Sequence, residues 1–323
     1  MQITLPSGNI GDGCPTYIIA EIGSNFVDKE DAIESIRLAK AAGADAVKYQ
    51  LYTHESLYGF KGNSKGTLPA SWLIDLKVAA EDRGIDFLCT AFSPEEYDIV
   101  DRWVDMHKIA SAESTHVRIL QKVNSLGKPV MMSTGAKYPH EIEQALKYLK
   151  DVPVILCYCA ASYPAKDIDL ERINVYRKQF KTLVGYSDHS IDIRTIPATA
   201  TRYYNACVLE KHVSFIDADT PDKPHSLNYN EFATMVKAVR GTATTTLVPQ
   251  WEERPFIEQH NRRIIATKEI KKGEIIQEDR NIGIFRSLKP ETHAYSPFLI
   301  DRVNGAIALK DIKKGHGIGP GDI

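Results

Sequence analysis

Between residues 15 and 214 the chain repeats one pattern: a short, nearly unbroken apolar run, then a stretch with helical spacing. The apolar runs fall at 15–23, 45–50, 86–92, 106–111, 128–135, 153–160, 183–190 and 206–214. Runs apolar on both faces are those of parallel strands covered on each side, because crossover helices bury both faces of such a sheet. Amphipathic stretches such as 29–43 and 139–151 supply the crossovers, and Gly43 is placed to end the first of them. Eight such units in about 245 residues predict a (β/α)8 barrel, an α/β fold. A doubly wound open sheet is the competing arrangement. The count of eight, and the polar residues gathered at the strand ends, favour the barrel.

Residues 1–245 are accordingly read as the barrel domain and 246–262 as a linker, since this part mixes Pro, Thr and charge without a period. Residues 263–323 have another texture. Ala266-Thr-Lys-Glu-Ile-Lys-Lys-Gly-Glu-Ile-Ile276 recurs as Ala308-Leu-Lys-Asp-Ile-Lys-Lys-Gly-His-Gly-Ile318, an offset of 308 − 266 = 42 residues. Two copies of strand, turn and strand predict a small β-rich domain with pseudo-two-fold symmetry; they are too few for a solenoid.

Lys and Arg number 40 against 42 Asp and Glu, a formal net charge of −2, so neither a nucleic acid nor a membrane surface is the expected partner. The N-terminus lacks the basic and apolar regions of a signal peptide, and no run has the length of a membrane span. Five scattered cysteines read as reduced thiols of a cytoplasmic protein. Cys157 and Cys159 share one strand face; two buried small hydrophobes are the expectation, ahead of a metal pair.

In a (β/α)8 barrel the chemistry sits at the C-terminal ends of the strands. Polar residues occupy those ends here: Glu21; Lys48 and Gln50; Thr90; Lys108, Ser111 and Glu113; Ser133; Tyr163; Ser187 and His189; Glu210 and His212. Burying such groups costs free energy unless they are paired, and their recurrence on every strand points to function. Lys48, Lys108, Thr90, Ser111, Ser133 and Ser187 are cations and hydroxyls suited to a phosphate or carboxylate. A lysine–glutamate pair with Glu21 or Glu113 is the bland alternative. His189 and His212, at neighbouring strand ends, are candidate ligands of a divalent metal, for which imidazole suits Mn, Fe, Co or Zn better than Ca. Of the other histidines, His54, His107, His116, His140, His260 and His293 are expected at the surface, and His225 is left open. The acidic loop 217–222 either contacts substrate hydroxyls at the barrel mouth or is plainly solvated. Glycine-rich nucleotide motifs, HExxH and GxSxG are absent.

These strand ends carry a resemblance. AEIGSN (20–25), AGADAVKYQ (42–50), KIASAE (108–113), GKPVMMSTG (127–135), SYP (162–164), GYSDHS (185–190), EKH (210–212) and PDKPHSL (221–227) are similar to the sialic acid synthase family. The C-terminal segment resembles that family's SAF, or antifreeze-like, domain. The resemblance implies condensation of phosphoenolpyruvate (PEP) with an N-acyl mannosamine-type sugar, giving a nonulosonic acid and phosphate. It implies a divalent metal on His189 and His212, manganese in first place, with magnesium or cobalt as alternatives. Lys48, Thr90, Lys108, Ser111, Ser133 and Ser187 match positions around PEP. Glu21, Gln50, Glu113, Tyr163 and Asp222 match positions around the sugar, with Glu21 or Glu113 as general base. It further implies a domain-swapped homodimer in which Arg286 reaches the partner's sugar site. The chain departs from the family at Asn25-Phe26-Val27-Asp28, in a short segment between Gln50 and Thr90, at Ala160-Ala161, and at Arg286-Ser287-Leu288. Several of these bear on the sugar, so the resemblance implies the reaction more closely than the acceptor. Condensation of PEP with another aldehyde or a sugar phosphate, and non-catalytic sugar binding, are the competing readings.

Overall fold

The chain was analysed as a computed structural model, which describes residues 1–62, 65–241, 261–286 and 293–323. An antiparallel hairpin opens it, β1 (Gln2–Leu5) and β2 (Gly8–Gly11). Eight parallel strands follow: β3 (Tyr17–Gly23), β4 (Ala46–Leu51), β5 (Asp86–Ala91), β6 (His107–Ile109), β7 (Val130–Ser133), β8 (Val154–Tyr158), β9 (Leu183–Asp188) and β10 (Val208–His212). They pair in chain order, and β10 returns to β3, so the sheet closes into a barrel. Each predicted run holds one of these strands, save that β4 ends one residue past its run, at Leu51.

The hairpin was not anticipated. Its Ile3, Leu5 and Ile10 pack with Ile19, Leu88, Met131 and Ile155 of the barrel strands, plugging the end opposite the C-terminal ends of those strands. Most of the remaining core lies between barrel and helices, where Tyr49, Phe87, Tyr97 and Phe232 are almost wholly buried. Helix Lys29–Ala42 shows why its boundaries could be read: Asp28 accepts the Asp31 N–H, and Gly43 takes a left-handed φ of 95°. No helix of the described residues is long and apolar enough to cross a membrane.

Most of the predicted linker lies outside the described residues. The C-terminal part resumes at Asn261, and β11 (Arg262–Ala266) pairs antiparallel with β12 (Ile282–Arg286), so its first strand begins one residue before the predicted boundary. The repeat forms the symmetry it predicts. Ile270 and Ile312 exchange backbone hydrogen bonds of 2.9 and 2.8 Å. Gly273 N–H donates to Ala308 O, and Gly315 N–H to Ala266 O, the same bond displaced by 42 residues. Both turn glycines are left-handed, with φ 86° and 82°. Ile270, Ile276, Ile312 and Ile318 of the two copies form one small core with Ile264 and Ile300.

Candidate active site

Parallel registration explains how residues far apart in sequence meet. Glu21 lies beside Lys48, Gln50 beside Thr90, Thr90 beside Lys108, and Ser187 beside Glu210. Neighbours in register share a face, here the barrel interior. Lys211, between Glu210 and His212, points instead to the helix layer, where it is fully buried on Asp188 at 2.8 Å. The inward residues surround a cavity of about 540 Å³ at the strand ends. Every residue singled out as a site residue from sequence lines it, except Glu113.

The cavity floor is an ionic network. Lys48 Nζ sits 2.7 Å from Glu21 Oε2, donates to Thr90 Oγ1 at 2.9 Å and lies 3.6 Å from Glu210 Oε2. Lys108 Nζ is 3.5 Å from Glu210 Oε1, to which Ser187 Oγ donates at 2.8 Å. Burial pushes the Glu21 carboxyl well above the usual carboxylate range, and Glu210 raises it further, although Lys48 opposes both. Glu210 faces the same burial, but Lys108 and Lys48 outweigh it and hold its carboxyl low. One carboxylate thus anchors two lysines, while the other is poised to hold or release a proton. Ser133 Oγ is buried without a hydrogen-bond partner and lines the same space. Ser111 Oγ accepts from the Gly135 N–H at 3.0 Å and lies 3.2 Å from Cys159 Sγ. The lysine–glutamate pairing posed as the alternative is present, with Glu21 and Glu210 as the partners, and it uses the lysines read from sequence as an anion site.

Above the floor three imidazoles meet. The rings of His189 and His212 are 5.8 Å apart, and those of His212 and His225 only 4.5 Å. His212 Nδ1 lies 3.6 Å from Asp222 Oδ2, and His225 Nε2 lies 3.9 Å from Asp222 Oδ1. His212, Asp222 and His225 each place a ligand atom within 4.8 Å of the others. Burial pushes all three imidazoles below their ordinary value, so they are neutral at pH 7, the state in which imidazole binds a metal. His212 Nδ1 is buried and without a hydrogen-bond partner, as a ligand atom would be. A divalent ion therefore fits, with a donor set that differs from the predicted pair. His189 stands at the edge of the set, its Nδ1 3.0 Å from the Ala160 carbonyl oxygen and its ring against Tyr163.

Glu113 is the residue placed differently from expectation. It is fully buried, outside the cavity lining. Its Oε1 accepts from Arg262 Nη2 at 3.0 Å and Arg286 Nη2 at 2.9 Å, and its Oε2 from Arg286 Nη2 at 3.1 Å. Despite burial, the two guanidinium groups hold its carboxyl below the usual value. A carboxylate so held is a poor proton acceptor, and its bonds fix the guanidinium of Arg286, which lines the cavity. The resemblance implies that this arginine comes from a partner, whereas here Arg286 meets Glu113 of its own chain.

Glu210, His225 and Arg262 are the residues that sequence reasoning did not assign. Glu210 was visible on an inward strand position but carried no role. His225 needed the fold of loop 213–228 to reach His212. Arg262 is the last residue of the predicted linker, with nothing in the sequence to mark its burial. His107 and His116 were expected at the surface; both are buried, His107 with Nε2 3.0 Å from Asp101 Oδ1.

Strand ends that gather a buried lysine–glutamate network and a cluster of imidazoles suit an enzyme that handles an anionic substrate and a divalent metal. The chain belongs to the NeuB family, whose model matches residues 35–247. It is 33% identical to an uncharacterized protein of Methanocaldococcus jannaschii, over 93% of this chain and 94% of that one. It is 29% identical to the pseudaminic acid synthase of Campylobacter jejuni, over 98% of each. The crystal structure of the spore coat polysaccharide biosynthesis protein SpsE of Bacillus subtilis superposes with a TM-score of 0.88 at 27% identity, covering 100% of this chain and 99% of that one.

Proposed function

We propose that this enzyme condenses PEP with an N-acyl mannosamine-type amino sugar in its open-chain form, releasing phosphate and a nonulosonic acid. The observation that carries the reading is the single cavity in which two lysines and buried hydroxyls adjoin a His212–Asp222–His225 cluster. The lysines, with Thr90, Ser133 and Ser187, suit the phosphate and carboxylate of PEP, where fixed cations stabilise charge that develops during reaction. His212, Asp222 and His225, with His189 beside them, would hold the divalent ion; manganese is first in order, ahead of magnesium or cobalt. When bound, that ion supplies a Lewis acid beside the sugar aldehyde. Carbon 3 of PEP adds to carbon 1 of the sugar, water adds at carbon 2 of the PEP moiety, and the tetrahedral carbon expels phosphate. Glu21 takes the proton from that water: its raised affinity for protons suits a base working near neutrality, and Gln50 Nε2 fixes its Oε1 at 2.6 Å. Tyr163, Asp222 and Arg286, which also line the cavity, would meet the sugar.

The assembly read with this function is a homodimer whose C-terminal domains are exchanged, so that the contacts of Arg286 and Arg262 with Glu113 form between copies. Exchange of an identical element closes a dimer without new contact chemistry. Five free thiols suit a reducing compartment, the cytoplasm.

The direct test is phosphate release from PEP with manganese and a panel of N-acyl amino-hexoses, free and 6-phosphorylated. Sugar-dependent release is expected. Release only with a non-amino aldehyde would transfer the reading to a different acceptor class, and none with any acceptor would sink it. Lys65 at the cavity lining gives the phosphorylated sugars a cation to meet, which is why they belong in the panel.

A further inference from the structure

A second histidine cluster lies on the C-terminal domain, formed by residues other than those lining the catalytic cavity. His293 Nε2 and His316 Nε2 are 3.2 Å apart, and His316 Nε2 is 3.7 Å from Asp322 Oδ2. The Gly317 carbonyl oxygen adds a fourth donor atom, 2.8 Å from His293 Nε2. A tetrahedral ion holds nitrogen and oxygen ligands at roughly 2.0–2.2 Å, which places the ligand atoms about 3.3–3.6 Å from one another. The spacing of the two imidazoles and the carboxylate brackets that value.

The ligand carriers are fixed by the fold. His316 sits on the ladder between the two repeat copies, its carbonyl accepting from Ala266 N at 2.9 Å. Tyr295, two residues from His293, donates its N–H to Ile318 O at 2.7 Å. Asp322 is buried, and its Oδ2 accepts from Gly319 N at 2.7 Å, an orienting bond of the kind that metal-binding carboxylates use. The repeat offers an independent sign. Position 316 corresponds to Glu274 in the first copy (316 − 42 = 274), where the carboxylate Oε2 accepts from Lys271 N in its own turn. The second copy has exchanged that turn-closing group for an imidazole facing a second imidazole. The turn geometry alone, identical in both copies, does not call for a histidine there.

We infer that His293, His316 and Asp322 form a binding site for one divalent transition-metal ion of the zinc type, which clips residues 316–322 to the segment opening at residue 293. Two imidazoles and one carboxylate select zinc or cobalt over magnesium and calcium. Lys310, 2.9 Å from Asp322 Oδ1 and largely exposed, is free to swing away as the ion arrives.

Cobalt, a spectroscopic substitute for zinc, tests this with the whole chain. The His212→Ala variant disables the cluster at the barrel mouth, and in that background the remaining site is titrated. One equivalent of cobalt with a tetrahedral absorption spectrum is expected for H212A, and zinc should displace it. The equivalent should vanish in H212A/H316A and in H212A/H293A. Retention of the spectrum in both double variants, or no bound cobalt in H212A or in the alternative background H225A, overturns the site. The single variant H316A should keep its manganese-dependent phosphate release within about twofold, while H212A/H316A loses the rise in melting temperature that zinc gives H212A. An equal zinc-induced rise in H212A and H212A/H316A also counts against the assignment.

Discussion

Glu210 binds its two lysines and the Ser187 hydroxyl at once, and this decides what either lysine can do alone. In Lys108→Met the carboxylate keeps Lys48, so the barrel should fold; what is lost is one cation at the anion position. Removing one preorganised group at a developing charge lowers turnover on the order of 10²-fold. Steady-state kinetics should show kcat/KM for PEP falling by about that factor with the sugar KM nearly unchanged, and a comparable change in both would place Lys108 elsewhere. The imidazole cluster makes a second claim. His225→Ala removes one donor of the His212–Asp222–His225 set but leaves the floor network intact. Calorimetric titration should give manganese affinity weaker by roughly 10–100-fold with PEP affinity preserved. Equal manganese affinity would return the metal to His189 and His212 alone. At this scale the sequence was legible wherever a residue's direction followed from strand alternation, as for Lys48, Gln50, Lys108 and His212. It was not legible for His225, whose position depends on loop geometry, nor for Glu113, which sits in the 3-10 turn after β6 and faces two arginines from another element.

The element that best exposes cause and effect is the IKKG turn, because the chain builds it twice. A Cβ added at Gly273 or Gly315 would meet nothing within 4 Å, so substitution adds backbone strain and no clash. An L-residue held in the left-handed region costs about 1–2 kcal/mol. Gly273→Ala and Gly315→Ala should therefore each lower unfolding free energy by about 1 kcal/mol, in equal measure, in urea titrations that follow the C-terminal domain. Markedly unequal losses would mean that one copy carries more of that small core than the hydrogen-bond symmetry implies. The repeat is an element that the sequence declared openly, since identical residues at a fixed offset need no tertiary knowledge. The strands were legible for a related reason: both faces are buried, so each run is apolar throughout. The hairpin 2–11 was not, because its Ile3, Leu5 and Ile10 gain their meaning only from the barrel end they plug.

The whole molecule depends on how the C-terminal domain seats on the barrel. Arg262 is buried and shares Glu113 with Arg286, while Arg118 of the barrel reaches Glu278 Oε2 at 2.5 Å on the far side of the contact. In Glu113→Gln the Arg262 guanidinium stays buried with its carboxylate partner gone. Breaking a buried pair in this way costs about 3 kcal/mol or more. Denaturant titration should show that loss, and the sugar KM should rise as Arg286 loses its aim; an unchanged midpoint would mean that the domain is held mainly by other contacts. The same interface decides the assembly. Arg286 acts at the mouth, Lys108 at the floor, and the two lie on different domains joined through residues 242–260. If the domains exchange between copies, a mixture of Arg286→Ala and Lys108→Met chains, co-unfolded and refolded together, forms some heterodimers. In each of these one mouth receives a parent Arg286 over a parent Lys108. Random pairing makes half of the dimers hetero, with one complete site in two, so recovery of about a quarter of parental activity is expected. The same domain seated on its own barrel would leave every site lacking one residue or the other. Activity no higher than that of the separate variants would then establish the intrachain contact as the working arrangement, with Glu113 and Arg286 paired within one copy.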